Sequence, residues 1–102
     1  MQVIVPGHLY LLKNFEDDTT QPLQFIHKEP HPENPTNLMT VQNGTTNEEL
    51  LAVLINRMKG LNDKFPCRQN ALAITKLEEA LFWLNNRTEE RKARNVEGKH
   101  VA

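Results

Sequence analysis

The hydrophobic pattern changes period partway along this 102-residue chain. From Leu50 onward the apolar positions recur at helical spacing. Leu50, Leu51, Val53, Leu54, Ile55, Met58 and Leu61 form one broad stripe, and Ile74, Leu77, Leu81 and Leu84 form a narrower one. Steps of three and four put each set on one side of a helix, and each calls for a partner. Thr46 followed by Glu49 is a capping box, in which hydroxyl and carboxylate satisfy backbone donors at a helix start. Phe65-Pro66 closes that helix, because proline disfavours helical backbone in the residue before it and is tolerated in the next first turn. A second helix is predicted from about Arg68 to about Arg94, and the short connection makes an antiparallel hairpin. The broader stripe should cover both the second helix and part of a sheet.

Before Leu50 the pattern is strand-like. His8-Leu9-Tyr10-Leu11-Leu12, Leu23-Gln24-Phe25-Ile26-His27-Lys28 and Leu38-Met39-Thr40-Val41 are bulky runs bounded by turn formers, as in a meander. Glu16-Asp17-Asp18 is an acidic turn between the first two. Glu29 to Asn37, with Pro30, Pro32 and Pro35, cannot lie inside a sheet and reads as an exposed loop. Asn43-Gly44 tolerates positive φ and marks a sharp turn. The predicted fold is α+β: one domain over residues 1–102, with an antiparallel β-meander at 1–44 and a two-helix hairpin at 45–102.

Size adds a constraint. A domain of this length buries only about 60–70% of the surface its unfolded chain exposes, and the proline-rich, polar stretches add little core. Self-association is therefore expected, to cover remaining apolar surface. Cys67 is the only cysteine, so no intramolecular disulfide can form; a reducing compartment and a buried, packed thiol are expected. The apolar run Met1–Gly7 lacks the positive start of a secretory leader, and no run approaches the roughly 18 residues of a membrane span. The chain reads as soluble and cytosolic.

The formal net charge of −1 hides a division. Residues 1–55 carry two Lys/Arg against seven Asp/Glu, whereas residues 56–102 carry ten against six. Opposite halves either attract each other or leave the basic half facing an anionic ligand.

Markers of nucleotide hydrolysis and metal catalysis are missing: there is no G-x-x-x-x-G-K-[ST], G-x-G-x-x-G, H-E-x-x-H or cysteine-pair zinc signature. His27 and His31 flank Pro30 without further Cys or His nearby, which favours loop histidines over a metal site. Glu78 and Glu79 point about 100° apart on a helix and do not converge for acid–base work. Cys67 has no nearby histidine to act as its base. No enzyme and no cofactor are expected.

The remaining chemistry is basic and aromatic. Trp83, Arg87, Arg91 and Arg94 follow at i, i+4, i+8 and i+11, stacking an indole beneath a column of guanidinium groups. Such arginines either serve the helix end, through its dipole and the Glu90–Arg94 pair, or bind phosphates while a ring stacks on a base. Arg57 and Lys59, late in the first helix, should approach the Arg68–Thr75 start of the second and form another basic cluster. Two separate clusters fit small anions better than duplex nucleic acid, which wants one continuous basic face.

The stretch Asn43–Leu50, Phe65-Pro66-Cys67-Arg68, the run Ala71–Leu84 and the ending Arg94–His100 resemble the phage Thoeris anti-defence 1 family. Through Asn56-Arg57-Met58-Lys59 and Thr75-x-Leu77-Glu78-Glu79-Ala80, the hairpin is also similar to that of phage anti-CBASS 2 proteins, although the latter have an arginine where Ile74 stands here. This resemblance implies an oligomeric sponge, a dimer or hexamer, working in the cytoplasm of an infected bacterial host. The implied ligands are cyclic ADP-ribose isomers and, more widely in the family, cyclic di- and trinucleotides, bound without cleavage. The candidate ligand-binding residues are Arg57, Lys59, Arg68, Thr75, Phe82, Trp83, Arg87, Arg91 and Arg94. The rival expectation is a small oligomeric interaction module whose basic hairpin docks an acidic protein.

Overall fold

The computed structural model describes residues 1–95, so Val96–His100 of the resembling C-terminal ending lie outside the described residues. Five strands precede two helices: β1 (Gln2–Val5), β2 (Leu9–Lys13), β3 (Thr20–Gln24), β4 (His27–Pro30), β5 (Leu38–Gln42), α1 (Asn47–Lys64) and α2 (Arg68–Ala93). The α+β class holds. The chain divides into two compact units, Met1–Thr46 and a second beginning at Asn47.

In the first unit the strands form two small sheets rather than one meander. β1, β2 and β3 make an antiparallel sheet in that order, and β4 pairs antiparallel with β5. β1 is an addition to the three expected strands and lies in the apolar Met1–Gly7 run. It hydrogen-bonds beside β2, with Gly7 at φ 80° in the turn between them. The expected strand Leu23–Lys28 is also divided. After Gln24 the backbone leaves β2 and crosses to Thr45: the Thr45 N–H donates to Gln24 O at 2.9 Å and the Ile26 N–H to Thr45 O at 2.8 Å. Phe25 and Thr45 form an isolated parallel bridge.

Gly44 permits that crossing, though not through the positive φ expected of it. A Cβ on Gly44 would lie 2.5 Å from the Phe25 carbonyl carbon and 2.6 Å from Gln24 O. The glycine is required for close backbone approach. Glu29 and Pro30, expected in a loop, end β4 instead. Proline is tolerated at the end of a two-stranded sheet, where the missing N–H interrupts no longer ladder. His27 is likewise a strand residue, and its ring stacks on that of His8 at 3.6 Å between centroids and 6° between planes.

The second unit is the hairpin. Thr46 stands immediately before α1, as a capping residue should, and Glu48 and Glu49 lie in its first turn, where carboxylates oppose the helix dipole. The α2 N-cap is Cys67: its Sγ accepts from the Asn70 N–H at 3.4 Å, while its own N–H donates to Asn62 Oδ1 at 3.0 Å. The thiol is exposed, not buried as expected, because an N-cap must sit at the open helix end. α2 ends where Asn95 takes φ 56°, a left-handed cap that asparagine tolerates.

Ile55 of α1 and Ile74 of α2 are the only buried apolar residues among those described. Around them Leu51, Met58, Leu77, Leu81 and Leu84 are half-buried. The broad stripe of α1 is thus only partly covered: Val53, Leu54 and Leu61 stay exposed. One partner helix fills a seam, not a stripe that wide. Among the described residues no helix is long and apolar enough to cross a membrane.

Candidate ligand-binding site

The single turns of α2 set the first part of the site. Phe82 and Trp83 are adjacent, so their side chains leave the helix about 100° apart. Neither faces the Ile74–Leu77–Leu81–Leu84 seam, and they remain 59% and 60% exposed. Their rings meet edge to face at 5.2 Å between centroids and 76° between planes. That geometry braces each ring and leaves faces open for a flat ligand. Arg87, one turn beyond Trp83, is exposed and has no hydrogen-bond or ion-pair partner among the described residues.

The column does not behave as one unit. Arg94 is engaged by Glu90: its Nη2 donates to Glu90 Oε2 at 3.2 Å, and its Nε lies against Glu90 Oε1. This is the i,i+4 pair the alternative reading anticipated. Arg91 is half-buried and already engaged within the protein. The column thus holds one uncommitted guanidinium at Arg87 and others already engaged.

The register between helices sets the second part. Lys59 Nζ of α1 reaches Glu78 Oε2 of α2 at 3.1 Å. This ion pair borders a groove of about 510 Å³ with Ile55 and Leu81 as its apolar floor, Phe82 on one side, and the amides of Asn56 and Asn85 at its rim. Asn85 was invisible to sequence reasoning, since nothing local distinguishes it from any other polar helix residue. Asn56 lay inside a named segment but carried no role. Two amides facing one groove offer paired donors and acceptors, a chemistry suited to base edges.

Arg57 does not join Lys59. Two positions on a helix turn about 200°, and Arg57 instead borders a shallow groove of about 700 Å³ along α1 with Val53, Gly60, Leu61 and Lys64. Arg68 opens α2 and is exposed. The Thr75 hydroxyl donates to Ala71 O at 3.1 Å, so its proton is used within the helix and its oxygen remains an acceptor. The structure therefore brings Lys59 and Phe82 to one groove, with Trp83 against Phe82 and Arg87 one helical turn beyond Trp83. Arg57, Arg68 and Thr75 stand elsewhere on the hairpin. Among the described residues no three His, Cys, Asp or Glu side chains converge to hold a metal ion.

Comparison with known proteins places this hairpin. Residues 24–89 match the family described as the Acb2/Tad1 hairpin domain. A protein of Bacillus phage SBSphiJ7 named Thoeris anti-defense 1 is 59% identical over 59 residues, covering 57% of this chain. The chain spans less than half of that relative's length, the match covering 42% of it.

Proposed function

Because the chain belongs to the Acb2/Tad1 hairpin family, we propose that it serves phage anti-defence as a sponge for cyclic nucleotide messengers of bacterial immunity. The ligands are cyclic ADP-ribose isomers, with cyclic di- and trinucleotides as a further class. The protein blocks effector activation in Thoeris, and in CBASS where the latter ligands apply. Its work is stoichiometric, and no bond is made or broken.

The observation that carries this reading is the exposed Phe82–Trp83 pair with Arg87 one turn away. A base stacks on an indole or phenyl face with about 1–3 kcal/mol. A phosphate receives a charge-assisted, forked hydrogen bond from the guanidinium. Lys59 adds a second cation beside the groove, and the Asn56 and Asn85 amides can read a base edge there. The other cations, Arg57, Arg68, Arg91 and Arg94, and the Thr75 hydroxyl serve further contacts, including those supplied by a second copy. To compete with an effector at low messenger levels the sponge needs nanomolar affinity, about −12 kcal/mol. An open face on one copy cannot exclude enough water for that, so the site is completed between subunits.

The test is direct. The protein is incubated with a cyclic ADP-ribose isomer, depletion of free messenger is measured, and the complex is heat-denatured. Intact messenger recovered on heating is the expected result. Degraded messenger would make the protein an enzyme, and no depletion before heating would leave the protein-interaction module as the better reading.

A further inference from the structure

The β2–β3 turn carries a feature outside the site proposed for the messenger. Phe15 at its tip is 99% exposed, and Glu16, Asp17 and Asp18 follow it directly. The tip is braced. The Asn14 N–H donates to Thr19 O at 3.0 Å, Asn14 Nδ2 to Thr19 Oγ1 at 2.7 Å, and Gln21 Nε2 to Asn14 Oδ1 at 2.8 Å. Asp17 is turned inward, accepting from both the N–H and the hydroxyl of Thr19. Glu16 and Asp18 have no hydrogen-bond or ion-pair partner among the described residues. The turn thus holds out a bare phenyl ring with two uncommitted carboxylates beside it.

Such a wedge fits a surface that is aromatic and cationic, since apolar burial anchors the ring while opposite charge sets its register. The chain itself supplies one. Phe82 and Trp83 expose most of their rings, and Arg87 stands one turn away with its charge uncompensated among the described residues.

We propose that the β2–β3 tip of one copy docks on the Phe82–Trp83–Arg87 face of a second copy, with Phe15 against the rings and Glu16 and Asp18 towards the guanidinium. The contact covers the rings that the messenger would stack on, so the tip is a resident acidic and aromatic occupant of that face. It is formed without messenger and can be measured without it.

Trp83 is the only tryptophan, so its fluorescence reports this face alone. The experiment follows acrylamide quenching of Trp83 in messenger-free protein across a dilution series, with light scattering and a thermal melt alongside. The expected result is quenching that falls as the protein associates. Phe15→Ala should raise quenching at least twofold at concentrations where the wild type is associated, with an unchanged melt, because the ring is 99% exposed and packs on none of the described residues. Asp18→Arg should do the same, and combining it with Arg87→Glu should restore protection. Raising salt from about 50 to 500 mM should weaken wild-type protection, as expected for contacts between exposed charges. Quenching indifferent to concentration or to Phe15→Ala would overturn the proposal, leaving the tip for a foreign partner. Failure of the charge swap to restore protection would overturn it equally.

Discussion

Arg87→Ala isolates the proposed ligand chemistry from folding better than any other single change. The side chain is exposed and has no partner among the described residues, so removing it takes no packing or ion pair from the hairpin. Surface substitutions of this kind stay within about 0.5 kcal/mol, which moves the melting temperature by less than about 4 °C in a domain of this size. A hydrogen bond to a charged group contributes about 1.5–3 kcal/mol. Its loss should therefore raise the messenger Kd about ten- to hundredfold. The assay is calorimetric titration with a cyclic ADP-ribose isomer beside a thermal melt. Arg94→Ala is the comparison, expected to weaken binding less than Arg87→Ala because Glu90 already holds its guanidinium. Its guanidinium is engaged by Glu90, so its removal should cost about 0.3–0.5 kcal/mol of stability through the lost i,i+4 pair. Binding within twofold of wild type for Arg87→Ala, or a melt lowered by many degrees with binding intact, would refute the assignment of Arg87 to ligand.

Four further outcomes follow from the geometry. Ile74→Ala removes one of the two buried apolar side chains among the described residues and should destabilise the hairpin by about 2–4 kcal/mol, read from urea unfolding; a loss below about 1 kcal/mol would mean the seam is not the hairpin's core. Gly44→Ala forces a Cβ into the Phe25 carbonyl and should cost about 1–3 kcal/mol, with loss of amide protection at Ile26 and Thr45 in hydrogen exchange. Cys67→Ser should keep the α2 cap, whereas Cys67→Ala should lose about 0.5–2 kcal/mol; equal melts for the two would show that the thiol does not cap. The two Thr19 hydrogen bonds hold the Asp17 carboxyl below its ordinary 3.8. A depressed carboxyl stabilises the tip at pH values above its unfolded value, and that contribution fades as pH falls through the lower folded one. Carbon-detected NMR titration should place Asp17 below 3.8, and Thr19→Val should move it back up.

The sequence was most legible where structure is local. The capping box at Thr46 and the Phe65-Pro66 break marked both ends of α1, because those signals act within four residues. Trp83 and Arg87 were legible for the same reason: i,i+4 spacing fixes their proximity on any helix. The division at Phe25 was not, since a continuous bulky run gives no sign that the backbone turns aside to meet Thr45 twenty residues on. Only the absent Cβ of Gly44 makes that crossing possible, and at the sequence level the same glycine reads as an ordinary turn. The Lys59–Phe82 groove was hidden because it depends on the register between two helices, which no single stripe specifies. Cys67 misled through its type: cysteine is usually buried, and its use as a helix cap shows only when Asn70 N–H is seen to reach it.

The two helices differ in length by eight residues, 18 in α1 against 26 in α2. They are joined by three residues, and with Lys59 level with Glu78 and Ala52 with Asn85, the last turn of α2 projects past the start of α1, with Arg94 at its end. Substitution there leaves the Ile55–Ile74 seam untouched. On the proposed sponge reading, a lineage that must follow a host's changing messenger can therefore revise contacts at the tip of α2 without first accumulating spare stability.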